Sequence, residues 1–115
     1  MRSVLAILIT ACLLGGCASS ILEGEHARTG TTLAALPSGA VVELFMEGKL
    51  PATPYAEVGQ VTSRGYVLDK TLEELRSQAR ALGANGIIGL TYERKFSADY
   101  LQDLYFAKGT AVAIR

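Results

Sequence analysis

Thr71–Tyr92, TLEELRSQARALGANGIIGLTY, carries a pattern that specifies structure by itself, and the rest of the chain reads as packing around it. Thr71 followed three residues later by Glu74 has the spacing of a capping box, in which hydroxyl and carboxylate each satisfy a backbone N–H left orphaned in the first turn. A helix is predicted to begin there. Leu72, Leu75, Ala79 and Leu82 recur at three- and four-residue spacing and form one apolar stripe, with Glu73, Arg76, Gln78 and Arg80 assigned to water. Gly83 is placed to take the left-handed conformation that ends a helix, with Ala84 returning to Ala79 in a Schellman-type closure. The β-branched and aromatic residues of Gly86–Tyr92 then suit a strand. Asn85-Gly86 is also a hairpin-turn dipeptide, but a helix precedes it, which favours a helix-to-strand connector.

Toward the N-terminus, Arg2 and the apolar run Val4–Leu14 have the charged and hydrophobic regions of a secretory signal, too short to span a bilayer. The run ends in Leu14-Gly15-Gly16-Cys17, which resembles the lipobox of bacterial lipoproteins; the resemblance implies that residues 1–16 are removed and that Cys17 is lipidated. The competing reading is a signal-peptidase cut after Ala18, since Gly16-Cys17-Ala18 also has small residues where that enzyme needs them. Two or three acyl chains give stable attachment where one holds only marginally. By the same resemblance, Ala18 in place of aspartate after the cysteine implies delivery to the outer membrane, with the folded part in the periplasm. Cys12 falls in the signal and Cys17 takes the lipid, which leaves no thiol for disulfides or soft metals.

The remaining length suits one domain. Net charge is zero over the whole chain, and the mature part, without Arg2, is slightly acidic. That balance argues against a nucleic-acid partner, which needs clustered Lys and Arg.

Residues 17–36 read as the lipidated N-terminus and a flexible tether, because Ser19–Leu36 mixes Ser, Gly, Thr and Glu without a period. His26, the only histidine, is assigned no role. The domain is expected over residues 37–115. Val41–Met46 has strand composition behind the Pro37-Ser38-Gly39 turn, and Pro51 and Pro54 mark a stiff loop. In Tyr55–Leu68, a bulge at Gly59 would bring Val58 and Val61 to one face. If the strands flanking the helix are parallel neighbours, their crossover is right-handed. Glu93–Asp103 reads as a long polar connection or hairpin tip. Leu104–Arg115 forms a last strand with Phe106, Thr110, Val112 and Ile114 on one face and the small Ala107, Gly109, Ala111 and Ala113 on the other, inviting close approach by another backbone or a helix. Together these elements predict an α+β fold, a small mixed sheet of about four strands with one main helix on one face.

Tyr55-Ala56-Glu57-Val58-Gly59-Gln60-Val61, the helix end Ala79–Ile88 and Gly109-Thr110-Ala111-Val112 together resemble the YbjQ-like group and the RcsF-like envelope lipoproteins. The resemblance covers most of the chain from Tyr55 onward and speaks to fold more than function. The YbjQ-like group carries a heavy-metal label, but this mature domain offers neither thiolate nor an imidazole cluster, and no EF-hand pattern, so no metal and no cofactor are expected. The RcsF-like fold is stapled by disulfides that this chain lacks.

The expected function is a non-enzymatic outer-membrane lipoprotein that binds or senses another envelope component. The alternative is a self-associating structural protein, suggested by ring formation in the YbjQ-like group. A cell-wall hydrolase ranks last: the domain has no catalytic cysteine, no G-x-S-x-G, and Glu73 and Glu74 sit on the helix's first turn. Phe96, Tyr100 and Leu101, aromatic and apolar residues in a polar connection, are the expected partner contacts, the competing reading being that Phe96 and Tyr100 fold back onto the sheet as a satellite cluster. Replacing Cys17→Ala should leave the precursor unprocessed and shift its fractionation; intact-mass analysis that finds an unlipidated N-terminus at Ser19 in the native protein would refute the lipobox assignment.

Overall fold

The computed structural model describes residues 21–115, so the signal assigned to residues 1–16 and the lipidation assigned to Cys17 lie outside the described residues. Five strands and one helix follow in order: β1 (Leu22–Arg28), β2 (Glu43–Met46), β3 (Tyr55–Gly65), α1 (Leu68–Ala81), β4 (Gly86–Ser97) and β5 (Gln102–Ile114). They build one mixed sheet of order β1-β3-β5-β4-β2, in which β2 and β4 pair parallel and the other neighbours antiparallel. The helix packs on one face, as expected for an α+β fold.

β3 and β4 run parallel to each other, yet they are not neighbours, because β5 lies between them and pairs with both. The helix therefore crosses over β5, whose small face meets it. Leu75, Ala79 and Leu82 share one buried cluster with Val58, Val61, Ile87, Leu90, Ala107 and Ala111. A methyl group added at Gly109 would overlap Ile87. A register shift between Glu57 and Gly59 supplies the expected bulge and leaves both Val58 and Val61 buried.

The helix begins three residues before the predicted cap. Val67 is its N-cap, without a side-chain hydrogen bond, and Asp69 places negative charge in the first turn, where the helix dipole favours it. Thr71 is wholly buried inside the helix, and its hydroxyl donates to the Val67 carbonyl at 2.8 Å. Glu74 instead accepts from Gln78 at 2.9 Å, so no capping box forms. The helix end follows expectation: the Ala84 N–H donates to Ala79 O at 2.9 Å, the Gly83 N–H to Arg80 O at 3.0 Å, and Gly83 has φ 81°.

Two stretches read as irregular are strands. β1 occupies part of the proposed tether and pairs with β3 from Leu22↔Gly65 to Arg28↔Gly59. It makes the fifth strand where about four were expected. Most of its side chains are exposed, so its place is fixed by backbone pairing with no hydrophobic alternation to announce it. The supposed long connection Glu93–Asp103 shrinks to the tip Ala98–Leu101, because β4 runs to Ser97 and β5 starts at Gln102.

β1 and β2 occupy opposite edges, so the chain between them must cross the molecule, and it does so past the C-terminal end of α1. Arg80, assigned to water by its helical position, is 9% exposed because it holds this crossing: its Nε donates to Ala40 O at 2.7 Å and Nη1 to Glu73 at 2.7 Å. The Leu36 N–H donates to Arg80 O at 2.8 Å. Asn85, just before β4, bonds to two other strands. Its backbone bonds Val112 and Glu43, while its side chain accepts from the Ile114 N–H at 2.6 Å and donates to the Ile114 carbonyl at 3.1 Å.

Leu75 is fully buried, so Leu75→Ala should cost about 2 to 5 kcal/mol, a large share of a small domain's stability. Gly83→Val should also destabilise, since a Cβ there would sit 2.5 Å from Ala34 O at a positive φ. Denaturant midpoints unchanged in both variants would contradict this packing.

Candidate functional site

The face of the sheet opposite α1 is uncovered. Strand alternation and register align its side chains in two transverse rows, Glu23–Arg64–Phe106–Glu93 and Glu25–Thr62–Lys108–Thr91. Each row carries charges of both signs. Above the rows lies a broad open trough of about 920 Å³ lined by these residues. Lys95 sits beside it, 4.7 Å from the Phe106 ring centroid and 3.2 Å from Glu93 Oε1.

The β4–β5 tip bends over one end of the trough. Tyr100 Oη donates to Glu23 Oε1 at 2.7 Å, Arg64 Nε donates to Glu23 Oε2 at 2.8 Å, and the Arg64 guanidinium lies 5.3 Å from the Tyr100 ring centroid. The Tyr100 hydroxyl and then the Arg64 guanidinium hold the Glu23 carboxyl below its ordinary range. The same bond to Glu23 pushes the Tyr100 phenol up. Three distant segments, β1, β3 and the tip, thus meet on one carboxylate.

Of the three expected contact residues, the structure separates Tyr100 from the other two. Tyr100 is half-buried and tied to Glu23, whereas Phe96 is 60% exposed and Leu101 is 78% exposed at φ 56°. The trough's charged residues escaped the sequence reading. Their one signal was period two within segments taken for coil: Glu23 and Glu25, then Glu93 and Lys95.

Among the described residues, no three His, Cys, Asp or Glu side chains converge on a point where an ion would sit. His26 is occupied, with Nδ1 2.6 Å from Gln78 Oε1. The described residues include no cysteine. This donor set does not fit a heavy metal.

The fold and site define a class: an α+β domain with one helix closing one sheet face and a charged trough on the other. Residues 64–115 match the family YbjQ_1, described as "Putative heavy-metal-binding". A UPF0145 protein of Synechococcus sp. (strain JA-3-3Ab) is 48% identical over 46 residues, which is 40% of this chain and 43% of that one; the match thus spans less than half of the relative's length. These two matches support the YbjQ-like part of the resemblance from the end of β3 through β5. The crystal structure of the Francisella virulence factor FvfA superposes with a TM-score of 0.54 at 16% identity, covering 79% of this chain and 98% of that one, a likeness of fold alone.

The Glu23–Tyr100 contact needs an ionised carboxylate and a neutral phenol. A carboxyl whose pKa is lowered on folding contributes fully above its ordinary value of 4.5 and loses that contribution as pH falls through the depressed value. A phenol whose pKa is raised contributes fully below its ordinary value of 10.0 and loses it as pH rises through the raised one. The tip should be held best between these limits. The protection of the Ala98–Leu101 amides, with the intrinsic pH dependence of exchange divided out, should fall in the parent chain as pH drops through the depressed Glu23 value, and Tyr100→Phe should abolish that fall; an unchanged protection profile in Tyr100→Phe would show that the hydroxyl does not dock the tip.

Proposed function

We propose that the protein is a non-enzymatic lipoprotein, anchored through Cys17 to the outer membrane, whose periplasmic domain binds another envelope component on the helix-free sheet face. The observation that supports this reading is the trough with its two rows carrying charges of both signs, left open by a fold that closes only the opposite face. A surface of this kind suits a polar partner with charges of both signs, positioned by pairing and by stacking on Phe106. Its chemistry is recognition. Glu23, the carboxylate most engaged in the trough, is held in its ionised form by Tyr100 and Arg64, the opposite of what a general acid needs.

Self-association is the second reading, and the sheet's outer edge bears on it. β1 presents Glu23, Glu25 and Arg28, and charged residues on an edge strand discourage pairing with another strand. A face-bound partner is therefore favoured over an assembly paired through β1.

A photo-reactive residue in place of the exposed Thr62 should capture a partner in intact cells. Lys108→Glu, which inverts one charge of the same row, should lower that capture severalfold while changing the unfolding free energy by no more than a surface substitution does, about 0.5 kcal/mol. Equal capture with and without the inverted charge would move the binding surface elsewhere.

A further inference from the structure

The strand register places several exposed apolar side chains at one end of the sheet. Leu22, Gly65, Tyr105 and Arg94 form one transverse row, and everything beyond it belongs to that end. Phe96 lies two residues past Arg94, roughly 7 Å further along the strand at the usual rise per residue. Leu101 is in the tip that follows, and Val67 is two residues past Gly65. Ile21 closes the group from the other side, since its carbonyl accepts the Tyr66 N–H at 3.3 Å. At this end Leu22 is 42% exposed, Val67 49%, Phe96 60% and Leu101 78%. The row spans three interstrand spacings, roughly 14 Å across. Val41, by contrast, precedes β2, which pairs with β4 near Gly86, at the far end.

The chain outside the described residues joins the domain at this same end, through Ile21. Cys17 is four residues earlier, so a lipid there is tethered by at most roughly 14 Å of extended chain. Such a leash leaves little room between a bilayer and the domain. Whichever surface surrounds the entry of residue 21 must face the lipid first, and that surface carries the exposed apolar side chains Leu22, Val67, Phe96 and Leu101.

We infer that the end formed by Phe96, Leu101, Val67 and Leu22 is a lipid-contact surface, seated in the interfacial layer of the membrane that anchors the chain. The inference rests on the lipid-anchor reading of Cys17 proposed above. Its partner is the bilayer itself. Arg94 and Lys95 stand behind the tip with Asp99 and Asp103 beside them, so the local charge is mixed and insertion of apolar side chains, not attraction to anionic headgroups, supplies the contact. The strands then rise away from the membrane, and the trough opens sideways into the periplasm.

The chain contains no tryptophan, so Leu101→Trp creates a single reporter, with Phe96→Trp as a second and Val41→Trp as the far-end control. Each full-length lipidated variant is reconstituted into phosphatidylcholine vesicles containing a lipid brominated along its acyl chain. Emission from L101W and F96W should shift to the blue and lose intensity to the brominated lipid, equally at low and high salt, while V41W stays unquenched. If L101W and F96W are unquenched in chains that float with the vesicles and carry lipid on Cys17, the contact is refuted and the anchor stands. A blue shift without quenching would mean that protein covers the tip, and would also overturn the inference. Chains that carry no lipid and do not float would remove the anchor reading, and this inference with it.

Discussion

Everything in the domain depends on how closely α1 can approach the sheet. The helix joins two parallel strands, β3 and β4, that are separated by a third, so it must lie across that third strand. Ala107 and Ala111 on β5 keep the sheet low beneath it, a Cβ at Gly59 or Gly65 on β3 would run into Leu82 or Thr71, and Leu75, Ala79 and Leu82 fill the space between helix and sheet. With no disulfide among the described residues, this layer and the backbone ladders carry the fold. It also commits one face of the sheet entirely to structure. The opposite face is thereby free of packing duties, and charged rows can persist there without cost to the core.

The parts of the fold legible in the sequence were those whose side chains carry a burial pattern. Leu72 to Leu82 showed one helical face, Gly83 and Ala84 showed the turn that ends it, and the small residues of β5 showed where a helix would sit. The helix start was misread because Thr71 and Glu74 have capping spacing while the buried Thr71 hydroxyl bonds back to Val67 within the helix. β1 was missed for a different reason. An edge strand with both faces polar is defined by the partner's backbone, and the two-residue spacing of Glu23 and Glu25, without an apolar face beside it, does not tell it from coil. Arg80 shows the converse, a charged residue at an outward helical position buried by a loop that arrives from elsewhere in the chain.

The candidate site was illegible for the same reason as β1. Glu23, Arg64 and Tyr100 are 41 and 36 residues apart in sequence and meet only because the sheet places β1 beside β3 and the tip across both. Tyr100 could be singled out as an aromatic residue in a polar stretch, but whether it faced a partner or its own sheet depended on a pairing that the stretch does not contain. Phe96 and Leu101, four residues before and one after it, remain uncovered.

The position of β1 also sets how the domain bears a mechanical load. A pull applied to the chain before Ile21 enters at Leu22 and runs along the strand axis, parallel to the seven-residue ladder with β3. Its hydrogen bonds are then strained together in shear, not opened one after another as in a peeled hairpin. The Arg64–Glu23 pair lies beside the point of entry and shares that first strain. Tension reaching the domain would therefore be felt first where the tip is latched to β1, and loss of that latch would expose the end of the trough before the helix and its core were disturbed.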